Sequence, residues 1–213
     1  MNPLLVLATV GLFYIVIFGG LSVLRREGLS TQFAFEVLGI TVLVSLGTWL
    51  TGVTVNPVLF LVSVYVLSMR ARLLVDLSSI LSARGRQRDA MSLLQWALRL
   101  YPDRASRFII LVNMGIVQLR RQNPKSAQEL LETVLKEAKQ GGLGLKYEAA
   151  CHYHLGLALQ RQGREAEAVS HFNQAIDTFP NSIYGRAAEQ ALEQRRQGKT
   201  QSAGPADDVA SDD

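Results

Sequence analysis

GRQRDAMSLLQWALRLYP at residues 85–102 and GREAEAVSHFNQAIDTFP at residues 163–180 place matching residue types at matching offsets. Gly85, Ala90, Leu94, Ala97 and Pro102 correspond to Gly163, Ala168, Phe172, Ala175 and Pro180. The offsets describe an antiparallel helix pair. Glycine supplies a left-handed residue at the turn, where any other side chain is strained. Ala90 and Ala168 fall early in the second helix, where two backbones approach closely. Leu94 or Phe172 fills the groove one turn later, Ala97 or Ala175 admits the next helix, and proline ends the unit because it cannot donate to the preceding turn.

Upstream of the second copy, Tyr153, Leu155, Gly156 and Leu159 supply a first helix with a small residue where it meets its partner. Leu155, Gly156, Leu159, Gly163, Ala168, Phe172, Ala175 and Pro180 together resemble the tetratricopeptide repeat, a unit of about 34 residues. The earlier copy carries Leu74, Leu77, Leu81, Gly85, Ala90, Leu94, Ala97 and Pro102, with Ser78 where Gly or Ala is usual. A third copy lies between them on Leu111, Met114, Gly115, Ala127, Leu131 and Val134. There Asn123-Pro124 replaces the glycine turn, and Gly141, Gly142 and Gly144 replace the terminal proline. The resemblance implies an all-α solenoid with repeats at about 71–104, 105–140 and 147–181. A capping helix over 182–197 and a disordered acidic tail over 198–213 complete the expectation.

The chain ahead of the repeats has another character. Pro3 to Leu24 contains no charged side chain, and between Gln32 and Met69 only Glu36 carries a charge. Thr51, Gly52, Thr54, Asn56 and Pro57 break the second run. Residues 1–70 therefore read as a membrane domain with helices at about 3–24, 32–51 and 55–69. A secretory signal is the rival for the first segment, but Met1, Asn2 and Pro3 supply no positive start and Arg25-Arg26-Glu27 offers no small-residue cleavage site. Arg25, Arg26, Arg70 and Arg72 flank the segments on one side, whereas residues 51–56 carry no charge. The positive-inside rule then predicts an outside N-terminus and cytoplasmic repeats. The third segment runs into the first repeat without Gly or Pro, which predicts a helix continuing through the interface. Glu36, about one turn into its segment, reads as a hydrated carboxylate near the headgroups.

No catalytic, cofactor-binding or metal-binding constellation is present. Cys151 stands alone, and His152 and His154 point to different faces of one helix, so a metal is not expected there. His171 reads as surface. The net charge of +4 comes from arginines at helix ends and turns without interleaved stacking aromatics, which disfavours nucleic acid. In the family resembled, the first helix of each pair lines a concave surface that binds protein partners. Transferred by position, that surface is Val75, Asp76, Ser79, Ile109, Val112, Asn113, Ile116, Tyr153, His154 and Leu157. Of the carboxylate clamp some members carry, only Asn113 matches, with Val75, Ser79, Ala150 and His154 at the remaining positions. Helical or apolar peptide segments are thus preferred over charged chaperone tails.

The sequence predicts a non-enzymatic, membrane-anchored scaffold that binds partner proteins at the cytoplasmic face. Resemblance to membrane-anchored family members extends this to assembly of a membrane complex. The alternative is an accessory structural subunit whose membrane helices make the main contact.

Overall fold

The computed structural model describes residues 3–24 and 31–202, and among these every regular element is an α-helix. They are α1 (Pro3–Leu24), α2 (Thr31–Thr51), α3 (Pro57–Ser68), α4 (Arg70–Ala83), α5 (Gln87–Arg99), α6 (Arg104–Arg120), α7 (Pro124–Ala138), α8 (Leu145–Gln160), α9 (Glu165–Thr178) and α10 (Ile183–Ser202). The chain divides after Gly144 into two compact units. Arg25, Arg26 and the acidic tail from residue 203 onward lie outside the described residues.

In the first unit α1, α2 and α3 pack around Leu7, Tyr14, Val37, Phe60 and Val64. Gly11 lets α1 cross close to α2, because a Cβ there would collide with Thr41. The Tyr14 hydroxyl meets Ser68 Oγ at 2.7 Å, which ties the middle of α1 to the end of α3. Outward, this bundle is apolar: Phe13, Phe35, Leu43, Trp49 and Leu59 are each about two-thirds exposed.

Three spans were expected here, the third the shortest, but among the described residues only Gln32–Thr51 meets the length and apolarity of a membrane crossing. The first segment forms α1, whose 22 residues include the apolar stretch Leu4–Phe18. In the third segment residues 52–55 are not helical. Asn56 Oδ1 accepts from the Val58 amide and starts α3 only at Pro57. Its 12 residues span about 18 Å at 1.5 Å per residue. The expected continuous helix into the first repeat is also absent: Met69 breaks it, and α3 meets α4 at a 68° bend. α3 and α4 make a second candidate only if counted as one broken span.

Beyond the bend come helix hairpins, α4 with α5 and α6 with α7, the latter packed onto the former. The second unit holds the α8–α9 hairpin with α10 against both helices. Each hairpin buries its second helix on the expected stripe: Ala90, Leu94 and Ala97, then Ala127, Leu131 and Val134, then Ala168, Phe172 and Ala175. The small residues of the first helices face these stripes. A Cβ on Gly115 would fall 2.9 Å from Leu131 Cγ, and one on Gly156 would fall 2.7 Å from the Phe172 ring. Ser78 takes the corresponding place in the first hairpin, where it is buried and donates to the Val75 carbonyl at 2.7 Å.

Gly85 (φ +80°) and Gly163 (φ +77°) occupy the left-handed turns. In the middle hairpin Gln122 takes that conformation at φ +61°, just before Asn123-Pro124. α6 and α7 are accordingly a regular pair. Ser182 caps the last helix by accepting from the Gly185 amide at 2.9 Å, and α10 runs to Ser202, past the boundary expected at residue 197.

The seam sets a stability prediction. Gly156→Leu and Ala168→Leu each force a large side chain between α8 and α9, at about 1–3 kcal/mol. Thermal unfolding monitored by circular dichroism should show a lowered Tm for both, and little change for Gln174→Leu on the exposed face of α9.

Candidate binding surface

The residues assigned to a concave surface divide sharply by burial. In the first unit Asp76 and Ser79 are exposed, and Asn113 and Ile116 are half-buried. Val75, Ile109 and Val112 are buried, at 7%, 6% and 1% exposure, so they are core residues and present nothing to a partner. Their helix faces point into the first two hairpins, which the repeat offsets alone did not reveal. Asn113 Nδ2 donates to the Ile109 carbonyl of its own helix at 2.8 Å, which occupies the amide the clamp comparison had singled out.

In the second unit Tyr153, His154 and Leu157 are half-buried. Tyr153 is not loose surface. Its ring lies 6.0 Å from Phe172 and 6.1 Å from Tyr184, and His154 sits edge-on to Tyr184 at 5.7 Å. These aromatic contacts join α8, α9 and α10 on one side. Burial raises the phenol pKa of both Tyr153 and Tyr184, so each stays protonated and available to donate.

His152 and His171 correct a sequence expectation. They lie 19 residues apart on α8 and α9, yet their Nδ1 atoms are 3.1 Å apart and the rings stack at 5.4 Å. One Nδ1–H donates to the other Nδ1, which requires at least one neutral ring at the contact. Burial first, and the neighbouring His171 second, push His152 down to about 4. His154 points elsewhere, and no group of three or more metal-ligating side chains occurs among the described residues. Cys151 is fully buried, and burial raises its pKa far beyond the range of a reactive thiolate.

A larger polar cluster sits where the apolar helices join the first hairpin. Arg70 grips Glu36 through both guanidinium arms, Nη1 to Oε2 at 2.7 Å and Nη2 to Oε1 at 2.9 Å. The same guanidinium donates from Nε and Nη2 to the Leu100 carbonyl, at 3.2 and 3.1 Å, just past the end of α5. Gln32 Nε2 donates to Glu36 Oε1 at 3.0 Å and to the Tyr101 carbonyl at 2.9 Å. Glu36 is thus paired rather than simply hydrated. The sequence hid this because the partners are 34 residues apart and meet only when α3 returns beside α2.

One signal in the sequence was available and unused. Arg86 bridges Asp89 and Arg164 bridges Glu167, each at 2.6 Å and three residues on. Both arginines follow the turn glycine and both acids precede the first seam alanine, so the repeat extends to Gly-Arg-x-x-acid-Ala. These are exposed pairs and contribute little stability.

The histidine pair predicts a pH dependence. The unfolded chain protonates His152 near its ordinary value of 6.5, the folded chain only near 4. Between these values the unfolded state binds more protons, so stability present above pH 6.5 is lost as pH falls toward 4. Tm measured over this window should fall with acidification, and His152→Asn should flatten the slope.

No curated protein matches the chain. The family model described as tetratricopeptide repeat matches residues 106–181, from α6 through α9. The α4–α5 hairpin, in which serine replaces the usual small residue, lies outside that match. The match supports tetratricopeptide-repeat character for residues 106–181, a kind of module that typically binds other proteins.

Proposed function

We propose that the chain is a membrane-anchored scaffold whose repeats lie on the cytoplasmic side and hold protein partners, in the assembly of a membrane complex. The observation that carries this reading is the direct fusion of an apolar-surfaced bundle to repeat hairpins. Phe13, Phe35, Leu43, Trp49 and Leu59 form an exposed apolar surface of the kind that lipid or another apolar partner covers. Only Met69 separates that bundle from the first hairpin.

In this reading α2 crosses the bilayer and the chain returns through the non-helical residues 52–55 and α3. The return follows from Glu36, near the start of α2, meeting Arg70, just past the end of α3. Arg70 and Arg72 on that side, with Arg25 and Arg26, favour the cytoplasm for it. Each unit keeps its own candidate surface: the exposed Asp76 and Ser79 with the half-buried Asn113 and Ile116 in the first, and the half-buried Tyr153, His154 and Leu157 in the second. The accessible groups of the first are mainly polar, and the aromatic and apolar groups of the second suit a helical or apolar peptide segment.

A second reading, an accessory subunit of a larger membrane complex, gains from the burial of Val75, Ile109 and Val112. With less open surface on the repeats, the apolar helices become the principal contact.

Crosslinking in native membranes followed by purification should recover specific partners with the full chain, and recovery of the chain alone would contradict the scaffold. If residues 1–70 retain the same partners, recognition lies in the apolar helices and the second reading holds. A reporter active only in the cytoplasm should be active when fused after Gln197 and silent between Gly52 and Asn56. The opposite pattern would overturn the orientation.

A further inference from the structure

Two aromatic residues, one in the last turn of α5 and one just past it, are largely exposed. Trp96 is 59% exposed and Tyr101 is 86% exposed, with Leu100 between them at 36%. A single exposed apolar side chain is ordinary, but several large ones grouped on the surface mark a contact with another phase or partner. Arg99 lies with its guanidinium 5.6 Å from the Trp96 ring, so the group presents apolar rings and a cation together.

The position of this cluster is fixed by the polar junction. Tyr101 contributes its carbonyl to Gln32, and Leu100 contributes its carbonyl to Arg70, which holds Glu36. Gln32 opens the candidate membrane span found among the described residues, Gln32–Thr51. The end of α5 therefore lies level with the first turn of that helix. The 68° bend between α3 and α4 turns the first hairpin away from the direction of α3. If the helix Gln32–Thr51 spans, its first turn marks the boundary between hydrocarbon and headgroups, where Trp and Tyr are enriched because one end is apolar and the other polar.

We propose that Trp96, Leu100 and Tyr101 form an interfacial anchor, seated among the lipid headgroups beside α2, with Arg99 available to lipid phosphates. The first hairpin is then held against the bilayer by its own surface as well as by the chain. This rests on the membrane reading above, and lipid is the occupant because the cluster is hydrogen-bonded to the start of the candidate span. A cation beside exposed aromatics also suits an anionic leaflet.

Tryptophan fluorescence tests it, since the chain has only 2 tryptophans, Trp49 and Trp96. The full chain carrying Trp49→Phe is reconstituted into phosphatidylcholine and phosphatidylglycerol vesicles containing lipids brominated either near the headgroup or deep in the acyl chain. Trp96 emission should be blue-shifted and quenched at least about twofold more by the shallow bromines than by the deep ones. Emission that is water-like and quenched only by aqueous iodide would overturn the anchor. So would emission that neither bromolipid nor iodide quenches, which would place Trp96 against protein or a second copy. The reciprocal variant, Trp96→Phe, reports Trp49, which is 69% exposed on α2. If bromolipids quench Trp49 and not Trp96, the anchor alone fails. Quenching of neither would defeat the membrane reading and the anchor with it.

Discussion

The Glu36–Arg70 pair is the constraint on which the arrangement of the first unit depends. A carboxylate in the first turns of an otherwise apolar helix is costly unless it is paired. Here both of its oxygens accept from one guanidinium, the geometry in which arginine binds a carboxylate most strongly. Of its remaining donors, Nη1 reaches the Leu67 carbonyl at 2.8 Å, while Nε and Nη2 satisfy Leu100, whose carbonyl at the end of α5 has no further helix to bond to. One side chain thus joins α2, the Met69 break and the end of the first hairpin. Lysine could not replace it, because a single ammonium cannot meet both carboxylate oxygens in this planar fork and still reach the α5 carbonyl.

Away from that junction the molecule is built from a repeated solution to helix contact. Gly115 against Leu131 and Gly156 against Phe172 are the same device, a missing Cβ admitting a large side chain from the partner helix. Ser78 solves the first hairpin differently, by turning its hydroxyl back to Val75. This departure falls in the hairpin outside the family match and directly beside the junction. The first hairpin differs from the others in sequence and in neighbours.

What the sequence made legible was local. Gly85, Ala90, Leu94 and Ala97 could be placed because a left-handed turn and a close helix contact restrict residue type whatever lies elsewhere. The burial of Val75, Ile109 and Val112 was not legible, since it depends on how one hairpin packs on the next. Likewise His152 and His171 looked unrelated along the chain. With Gly156 set against Phe172, His152 lies one turn back on the same face and His171 is the next residue to Phe172. The three-span expectation erred for a physical reason. The third span was expected at about 55–69, but Asn56-Pro57 and Met69 confine its helix to Pro57–Ser68, 12 residues that are too short to cross alone.

The most direct test of this account is hydrogen exchange at the end of α5 in the full chain, compared across Glu36→Gln, Arg70→Gln and the double variant. If the pair holds the hairpin to the apolar helices, each single change should speed exchange at the Leu100 amide, which bonds to the Ala97 carbonyl at 3.3 Å. The double variant should add little, because both changes break one interaction. Unchanged exchange in the single variants, or effects that simply add, would contradict the claim that this ion pair joins the two parts.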